Sequence, residues 1–384
     1  MNNFLNYRDP FGLYIHIPFC KSKCNYCDFY SIKNNNEDTD KYIDALVNEI
    51  NLYADNIENK NIRTIYIGGG TPSILKPKQV EEILNTIYKN FYINNTIEVT
   101  MEANPESLNE EKIKKYSSLG INRLSLGVQS FLNAELNFLG RIHNVKKSVE
   151  KIKIIKKYFD NFNLDIIFAL PEQKFEDFQY SLNQLLNINP PHISLYNLQI
   201  EKNTKLYNLL SIGEIKHIEE ELDYKMYNYA VKKFKEKGFI HYEISNFAKK
   251  DYESEHNLIY WKYQPYLGLG PSAHGFNGEK RYYNTPAYKQ YVNLLENKQF
   301  PIQEVINLSK KELISEMMFM GLRLTEGVSK TAFKDRFNLS IKEVYEDTIK
   351  KLKRDNLIQE NNNKIYLTKK GLNLGNISFA EFLL

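Results

Sequence analysis

The chain has 384 residues, 42% of them apolar, which is enough for a large buried core and for two or three domains. Its 51 basic and 47 acidic residues give a net charge of +4, too balanced to indicate a nucleic-acid binder. The longest apolar runs, such as residues 164–170, are too short to span a bilayer, and residues 1–10 do not resemble a targeting segment. We therefore expect a cytoplasmic protein with no nucleic-acid partner and at most peripheral membrane contact.

Short apolar strands alternate with amphipathic helices over the first two thirds of the chain. The strands are predicted at 13–17, 63–67, 97–101, 123–128, 164–169 and 193–198. The intervening helices are predicted around 42–53 and 80–87, and at 110–119, 145–159 and 175–186. Each return to a parallel strand needs a crossover, so this rhythm predicts a parallel α/β sheet. Six units favour an incomplete (β/α)6 barrel over residues 1–240, with an open doubly wound sheet as the competing topology.

The alternation stops after residue 199. One long helix is predicted at 215–237. Residues 242–278, rich in aromatic residues, Gly and Pro, are predicted to form loops and short strands within a connecting region at 241–300. Residues 301–384 then contain predicted helices at 311–322, around 334–337 and at 341–353, and a hairpin formed by 357–360 and 364–368. Three helices and a hairpin predict a C-terminal α+β winged-helix-like module.

The three cysteines of the chain, Cys20, Cys24 and Cys27, all lie within eight residues. An odd, clustered set of cysteines without an export signal is not a disulfide framework. Iron–sulfur clusters are held by thiolates, and three thiolates would leave one iron of a cubane open to a small molecule. A structural zinc site with His16 as the fourth ligand is the alternative, although the sequence has no second C-x2-C pair.

The C-x3-C-x2-C spacing after the first predicted strand resembles the radical S-adenosylmethionine (SAM) superfamily. The resemblance implies a [4Fe–4S] cluster on Cys20, Cys24 and Cys27, with SAM bound to the free iron. It also implies that SAM contacts the aromatic Tyr26, between the last two cysteines, and Tyr14, six residues before Cys20.

Further motifs follow the next predicted strands. They are Gly68-Gly69-Gly70-Thr71-Pro72, Met101-Glu102-Ala103-Asn104-Pro105, Leu126-Gly127-Val128-Gln129-Ser130 and Leu139-Gly140-Arg141-Ile142-His143, with Asp165 in the fifth strand. Each motif alone has a turn, capping or surface explanation, but parallel βα folds build their sites at the carboxyl ends of strands. The resemblance therefore implies that the SAM site includes Gly69, Gly70, Thr71, Glu102, Gln129, Arg141 and Asp165.

The order of these motifs resembles the oxygen-independent coproporphyrinogen III oxidases and their relatives, the HemW-type heme chaperones, over essentially the whole chain. The oxidases carry a further cysteine two residues after the third, where this chain has Phe29, and an N-terminal extension, whereas 19 residues precede Cys20 here. Both differences favour the chaperone branch, which the resemblance implies delivers heme to respiratory enzymes. Oxidative decarboxylation of coproporphyrinogen III is the alternative, so whether the chain is an enzyme stays open.

The last motif, His256-Asn257-Leu258-Ile259-Tyr260-Trp261, matches the H-N-x-x-Y-W signature of HemW-type proteins. Imidazole is an axial ligand of heme iron, and aromatic side chains pack on porphyrin faces. The resemblance therefore makes His256, Tyr260 and Trp261 candidates for heme binding, and a packed aromatic loop with a hydrogen-bonded His256 is the alternative. The implied partners are heme or another tetrapyrrole and recipient heme apoproteins, and homodimer formation is left open.

Overall fold

The computed structural model describes residues 3–384. The described residues contain seventeen strands, and twelve of these form one mixed sheet. The strands are β1 (Phe11–Ile17), β2 (Phe19–Cys20), β3 (Ile32–Lys33), β4 (Asn61–Gly69), β5 (Tyr92–Ala103), β6 (Arg123–Gln129), β7 (Asn161–Phe168), β8 (His192–Asn197), β9 (Ile240–Glu243), β10 (Asn246–Ala248), β11 (Tyr266–Leu269), β12 (His274–Phe276), β13 (Lys280–Asn284), β14 (Ile302–Asn307), β15 (Val328–Ser329), β16 (Ile358–Glu360) and β17 (Lys364–Leu367). The helices are α1 (Asn36–Asn56), α2 (Pro77–Asn90), α3 (Glu110–Ser118), α4 (Asn133–Phe138), α5 (Val145–Tyr158), α6 (Phe175–Ile188), α7 (Lys205–Ser211), α8 (Glu220–Glu236), α9 (Glu255–Trp261), α10 (Tyr288–Glu296), α11 (Lys310–Gly321), α12 (Lys330–Phe337), α13 (Ile341–Arg354), α14 (Lys369–Asn373) and α15 (Gly375–Ala380). Among residues 3–384, none of the helices combines the length and the apolar character that crossing a bilayer requires.

The large sheet has the order β14-β13-β12-β11-β1-β4-β5-β6-β7-β8-β10-β9. Strands β1 and β4–β8 run parallel and are connected by helices, and β11 adds a further parallel strand beside β1. Antiparallel strands extend the sheet on both sides, and within the described residues its two outer strands, β14 and β9, do not pair with each other. The predicted incomplete (β/α)6 radical SAM barrel with a C-terminal α+β module is confirmed, and the doubly wound alternative is not the fold.

The parallel strands form because their apolar residues are covered on both faces. Every residue of β6 is buried, as are six of the seven in β1. Helix α2 shows how the crossovers pack: Pro77 occupies its first turn, and the buried Val80, Ile83, Leu84 and Ile87 follow the helical repeat. These layers bring the carboxyl ends of the parallel strands to one edge, where the loops carry the sequence motifs.

Residues 241–300 pair extensively with the barrel. Strand β11 places Leu13 opposite Leu267, and β12–β14 continue the sheet outward. The domain boundaries at residues 240 and 300 stay a prediction. The prediction of one helix over 215–237 was wrong at its start, because α8 begins at Glu220, where three acidic residues in the first turn complement the helix dipole.

The C-terminal module has its own three-stranded sheet in the order β15-β17-β16. Its apolar cluster includes Phe333, Ile349 and Leu352, and residues from the extended sheet, such as Phe276, join it. An ion pair of 2.7 Å between Arg281 Nη2 and Glu316 Oε2 also links β13 to α11. The module therefore packs directly on the outer strands of the large sheet.

Candidate functional site

A cavity of about 460 Å³ lies at the carboxyl ends of β4–β8 and beside the loop after β1. Its volume falls within the range of ordinary ligand pockets. The predicted cluster and SAM residues that line it are Cys20, Cys24, Cys27, Tyr26, Gly69, Gly70, Thr71, Glu102, Gln129, Arg141 and Asp165. Tyr14 is the exception, because it does not line the cavity and its hydroxyl hydrogen-bonds to His16 Nδ1 at 3.0 Å.

The cysteine loop is fixed in place mainly through Asn25, between Cys24 and Cys27. The Asn25 backbone amide donates to the carbonyl of Leu139 at 3.0 Å, and its side-chain amide donates to the carbonyl of Phe138 at 2.7 Å. The backbone amide of Leu206 in α7 donates in turn to the Asn25 carbonyl at 2.9 Å. The loop is therefore clamped between the end of α4 and α7.

All three cysteines are free and partly buried. Burial raises the pKa of Cys20 and raises the pKa of Cys27 to about 11. The Thr71 hydroxyl donates to Cys20 Sγ at 3.5 Å, and the Arg141 guanidinium donates to Cys24 Sγ at 3.3 Å. Burial therefore favours the protonated thiols of Cys20 and Cys27, and binding of iron by their thiolates would release these protons.

The donor set fits an iron–sulfur cluster better than a zinc ion. Both ring nitrogens of His16 are engaged, Nδ1 with Tyr14 and Nε2 with the carbonyl of Tyr30 at 2.9 Å. Across residues 3–384, no three His, Cys, Asp or Glu side chains converge as ligands of a single metal ion. A cubane binds each thiolate through a different iron, so separated thiols on one loop match its requirement.

Arg141 connects three of the loops around the cavity. Besides Cys24, its guanidinium donates to Asn104 Oδ1 at 2.5 Å and to the Gly127 carbonyl at 3.2 Å. Asn104 in turn donates to the Thr71 hydroxyl at 3.0 Å. The result is a partly buried hydrogen-bonded chain from the cysteine loop to the ends of β4, β5 and β6, with a cation beside Cys24.

Glu102 lies at the end of β5 and accepts two hydrogen bonds. The Tyr66 hydroxyl donates to it at 2.7 Å and the Gly69 backbone amide at 3.0 Å. Burial raises the pKa of Glu102 to about 7. Gly69 has φ +112°, a conformation that favours glycine, and its turn brings the backbone toward the cavity.

The cavity floor is polar. Asp165 accepts from Asn163 Nδ2 at 2.7 Å and from the Ser125 hydroxyl at 3.2 Å, and burial raises its pKa. Ser194 belongs to the same group of polar side chains, because Asn163 Nδ2 also donates to its hydroxyl at 2.9 Å. Gln129 adds an amide at the end of β6, with a positive φ of 68°.

Sequence reasoning missed several of the polar residues that line the cavity, namely Asn104, Ser125, Asn163 and Ser194. A signal for them exists. Asn163 and Asp165 stand two positions apart and alternate with apolar residues in β7, and Arg123 and Ser125 have the same spacing in β6. Side chains at every second position point to the same face of a sheet, so polar residues with this spacing in buried strands indicate a polar interior.

The structure argues against His256 as a heme ligand. Its Nδ1 hydrogen-bonds to the Thr64 hydroxyl at 2.7 Å, its Nε2 to the Tyr260 hydroxyl at 2.8 Å, and its imidazole is buried. Burial lowers its pKa to about 3. Iron ligation would have to break one of these bonds, so the alternative of a packed, hydrogen-bonded histidine describes it better.

The remaining residues of this motif lie on helix α9 and have different surroundings, with the Trp261 ring packed under the Arg323 guanidinium. Helix α9 lies against the amino-terminal halves of β1 and β4, and the backbone amide of His256 donates to Glu98 at 3.1 Å. Tyr260 and Trp261 do not line the cavity, whereas Asn257 does. Of the four signature residues of the H-N-x-x-Y-W motif, Asn257 is therefore the one that reaches the cavity.

Comparison with known proteins identifies two matching regions and full-length relatives. Residues 14–185 match the Radical SAM superfamily, and residues 308–374 match the HemN C-terminal domain. The chain is 37% identical to "Heme chaperone HemW" of Bacillus subtilis (strain 168), over 96% of this chain and 98% of that protein. It is 38% identical to the protein of the same name from Lactococcus lactis subsp. lactis (strain IL1403), over 98% of each.

A solved structure shares the fold along the whole chain. Coproporphyrinogen III oxidase (HemN) from Escherichia coli, a radical SAM enzyme, superposes with a TM-score of 0.85, covering 100% of this chain and 91% of that one. Sequence identity to it is 21%, so this likeness establishes the fold alone. On the full-length sequence matches, the chain belongs to the HemW family of heme chaperones within the radical SAM superfamily.

Proposed function

We propose that this chain is a heme chaperone that holds a [4Fe–4S] cluster on Cys20, Cys24 and Cys27, binds SAM in the strand-end cavity, and delivers heme to respiratory enzymes. The observation that carries the proposal is the shared cavity: the three thiols face the same space as Glu102, Arg141 and Asp165. Family membership supports heme as the cargo.

The protein supplies the cluster with ligands and a suitable electrostatic environment. When bound, the cluster and SAM supply one-electron chemistry. The Arg141 guanidinium donates a hydrogen bond to Cys24 Sγ, and the Thr71 hydroxyl donates one to Cys20 Sγ. Hydrogen bonds to cluster sulfurs tune the reduction potential, so these two side chains are expected to affect it.

The polar groups around the cavity match the chemistry of SAM. A guanidinium such as that of Arg141 pairs well with a carboxylate. The carboxylates of Glu102 and Asp165 offer acceptors for amino and hydroxyl groups. Gly69 and Gly70 line the cavity beside the cysteine loop, and without side chains their backbone can approach an amino-acid moiety closely.

Cluster binding is tested by anaerobic reconstitution, with iron and sulfide analysis and electron paramagnetic resonance before and after addition of SAM. We expect about four irons per chain, and a change of the spectrum when SAM binds. Cys24→Ala should lose most of the cluster, whereas Ser22→Ala, on the same loop, should keep it. A Cys24→Ala protein with a full cluster would contradict the assignment.

Delivery is tested by mixing the heme-loaded protein with the apo form of a respiratory heme enzyme under anaerobic conditions. We expect enzyme activity to appear faster than with free heme at the same concentration. Activation no faster than with free heme would count against a chaperone role.

A further inference from the structure

Three large apolar side chains are exposed where they border the cavity. The exposed fractions are 65% for Phe29, 55% for Ile142 and 41% for Tyr196, and all three line the cavity. Single exposed apolar residues are ordinary on protein surfaces, but a group of them at a cavity mouth indicates a ligand surface. None of the roles proposed for cluster and SAM binding uses these side chains.

Hydrogen bonds hold the residue after Phe29 and the residues on both sides of Ile142 in place. Next to Phe29, the Tyr30 carbonyl is bonded to His16 Nε2 at 2.9 Å. Next to Ile142, the Arg141 amide donates to the Leu136 carbonyl at 2.9 Å, and the buried His143 hydrogen-bonds to Glu106 at 3.2 Å. The two apolar side chains are therefore presented to solvent by a fixed framework.

Both side chains line the same cavity as the three cysteines and are close in the sequence to residues of the proposed cluster site. Phe29 is two residues after Cys27, at the position where the related oxidases carry a further cysteine, and Ile142 follows Arg141, which contacts Cys24. The chain thus has an exposed aromatic ring where a thiol stands in the oxidases. This part of the mouth is apolar and lies outside the polar floor around Asp165.

A charged residue, Lys23, also lies at the mouth of the cavity. Lys23 is exposed and lines the cavity, and it forms no ion pair within the described residues 3–384. Heme has two apolar faces and carboxylates along one edge. An apolar pair with a nearby lysine matches that combination, since aromatic rings stack on porphyrin faces and ammonium groups pair with carboxylates.

We infer that Phe29 and Ile142 form a platform at the cavity mouth that receives one face of a heme or related tetrapyrrole, with Lys23 pairing with a propionate. The inference rests on the proposed function, since it assumes that heme is the cargo. Among the described residues, no histidine lines the cavity. Binding on the platform therefore depends on contact with the porphyrin face, and not on His256.

The test is an anaerobic heme titration of the cluster-reconstituted protein and its variants, followed by Soret absorbance. We expect Phe29→Ala to weaken heme binding roughly tenfold, as loss of a stacked ring predicts, and Ile142→Ser to weaken it several-fold. Phe29→Trp should restore affinity because it keeps a ring. Tyr92→Ala is the matched control, since Tyr92 is 68% exposed and begins β5 at the end remote from the cavity.

The iron content of each variant is measured first, so that loss of the cluster is not mistaken for loss of the platform. If the parent chain binds heme and Phe29→Ala and Ile142→Ser bind it equally well, the platform is wrong while the chaperone function stands. If the parent chain binds no heme, the chaperone function fails, and the platform fails with it.

Discussion

The Arg141 guanidinium donates a hydrogen bond of 3.3 Å to the Cys24 thiol, across 117 positions of sequence. The same side chain reaches Asn104 Oδ1 at 2.5 Å. One buried cation thus joins the cysteine loop to the end of β5 and to its own loop after α4. Any substitution at Arg141 is expected to affect both the cluster and the cavity.

Arg141→Lys should weaken SAM binding about tenfold or more, because lysine cannot reproduce the planar fork and the charge-assisted bonds it makes. The measurement is equilibrium binding of SAM to the reconstituted protein. Arg63→Lys is the control, since Arg63 is exposed on β4. Equal SAM affinity in Arg141→Lys and the parent chain would remove Arg141 from the SAM site.

Gly70→Ala should impair cluster incorporation. A Cβ atom at this position would lie 2.8 Å from the Phe19 carbonyl oxygen and 3.0 Å from Cys20 Sγ, so the cysteine loop would have to move. The free energy of unfolding should fall by about 1–3 kcal/mol, as is typical of overpacking. Iron content after reconstitution and urea denaturation measure the two effects.

Gly213→Ala is the control that separates the loss of stability from the loss of cluster incorporation. Gly213 has φ +77° and open space around its missing Cβ, so alanine there costs about 1 kcal/mol of backbone strain without touching the site. Its iron content should equal that of the parent chain. A Gly70→Ala protein with equally full iron content would show that the cysteine loop tolerates the added methyl group.

The buried Glu49 should make stability depend on pH. It accepts from the Gly270 amide at 2.8 Å, the Tyr291 hydroxyl at 2.5 Å and the Asn284 amide at 2.7 Å, yet burial raises its pKa from 4.5 to about 7. A raised pKa means that the folded chain favours the neutral carboxyl. This stabilisation is complete below pH 4.5 and is lost as the pH rises through about 7.

Glu49→Gln removes that titration. The free energy of unfolding of the parent chain, relative to Glu49→Gln, should therefore decrease between pH 4.5 and 7 and then level off. Urea denaturation of both proteins over this range is the measurement. A difference that does not change with pH would place the pKa of Glu49 in the folded chain near its ordinary value.

His256→Gln should leave the Soret spectrum of the heme complex unchanged, because both imidazole nitrogens already hydrogen-bond to Thr64 and Tyr260. Loss of those bonds should lower stability by about 1–3 kcal/mol, since a buried partner is left unsatisfied. Absorbance spectra and thermal unfolding measure the two effects. A shifted Soret band at unchanged stability would support iron ligation by His256 instead.

The parallel barrel could be predicted because its strands are short and largely apolar and are separated by amphipathic helices. Residues such as Val80 and Ile83 follow the helical repeat after Pro77 and are buried as that repeat requires. The pairing of β11–β14 with the barrel sheet was not predicted, although short strands were expected within 242–278. Leu267 pairs with Leu13, 254 positions away, and no local pattern specifies such a partner.

In the candidate site too, local patterns could be predicted from the sequence and long-range contacts could not. Parallel strands end at one edge, so motifs that follow them were expected to meet, and Cys24, Glu102, Arg141 and Asp165 do line one cavity. The motifs do not show which of their side chains already hydrogen-bond to other parts of the chain. His256 is bonded to Thr64, which lies 192 positions away, and Tyr14 is turned toward His16.

We propose that this chain binds heme as a cargo while it carries its cluster. Anaerobic titration of the reconstituted protein with heme, followed by Soret absorbance and combined with an assay for coproporphyrinogen III turnover, tests it most directly. We predict a saturable complex with about one heme per chain and no SAM-dependent formation of protoporphyrinogen. Unsaturable heme binding together with turnover of coproporphyrinogen III would contradict the account and make the chain an oxidase.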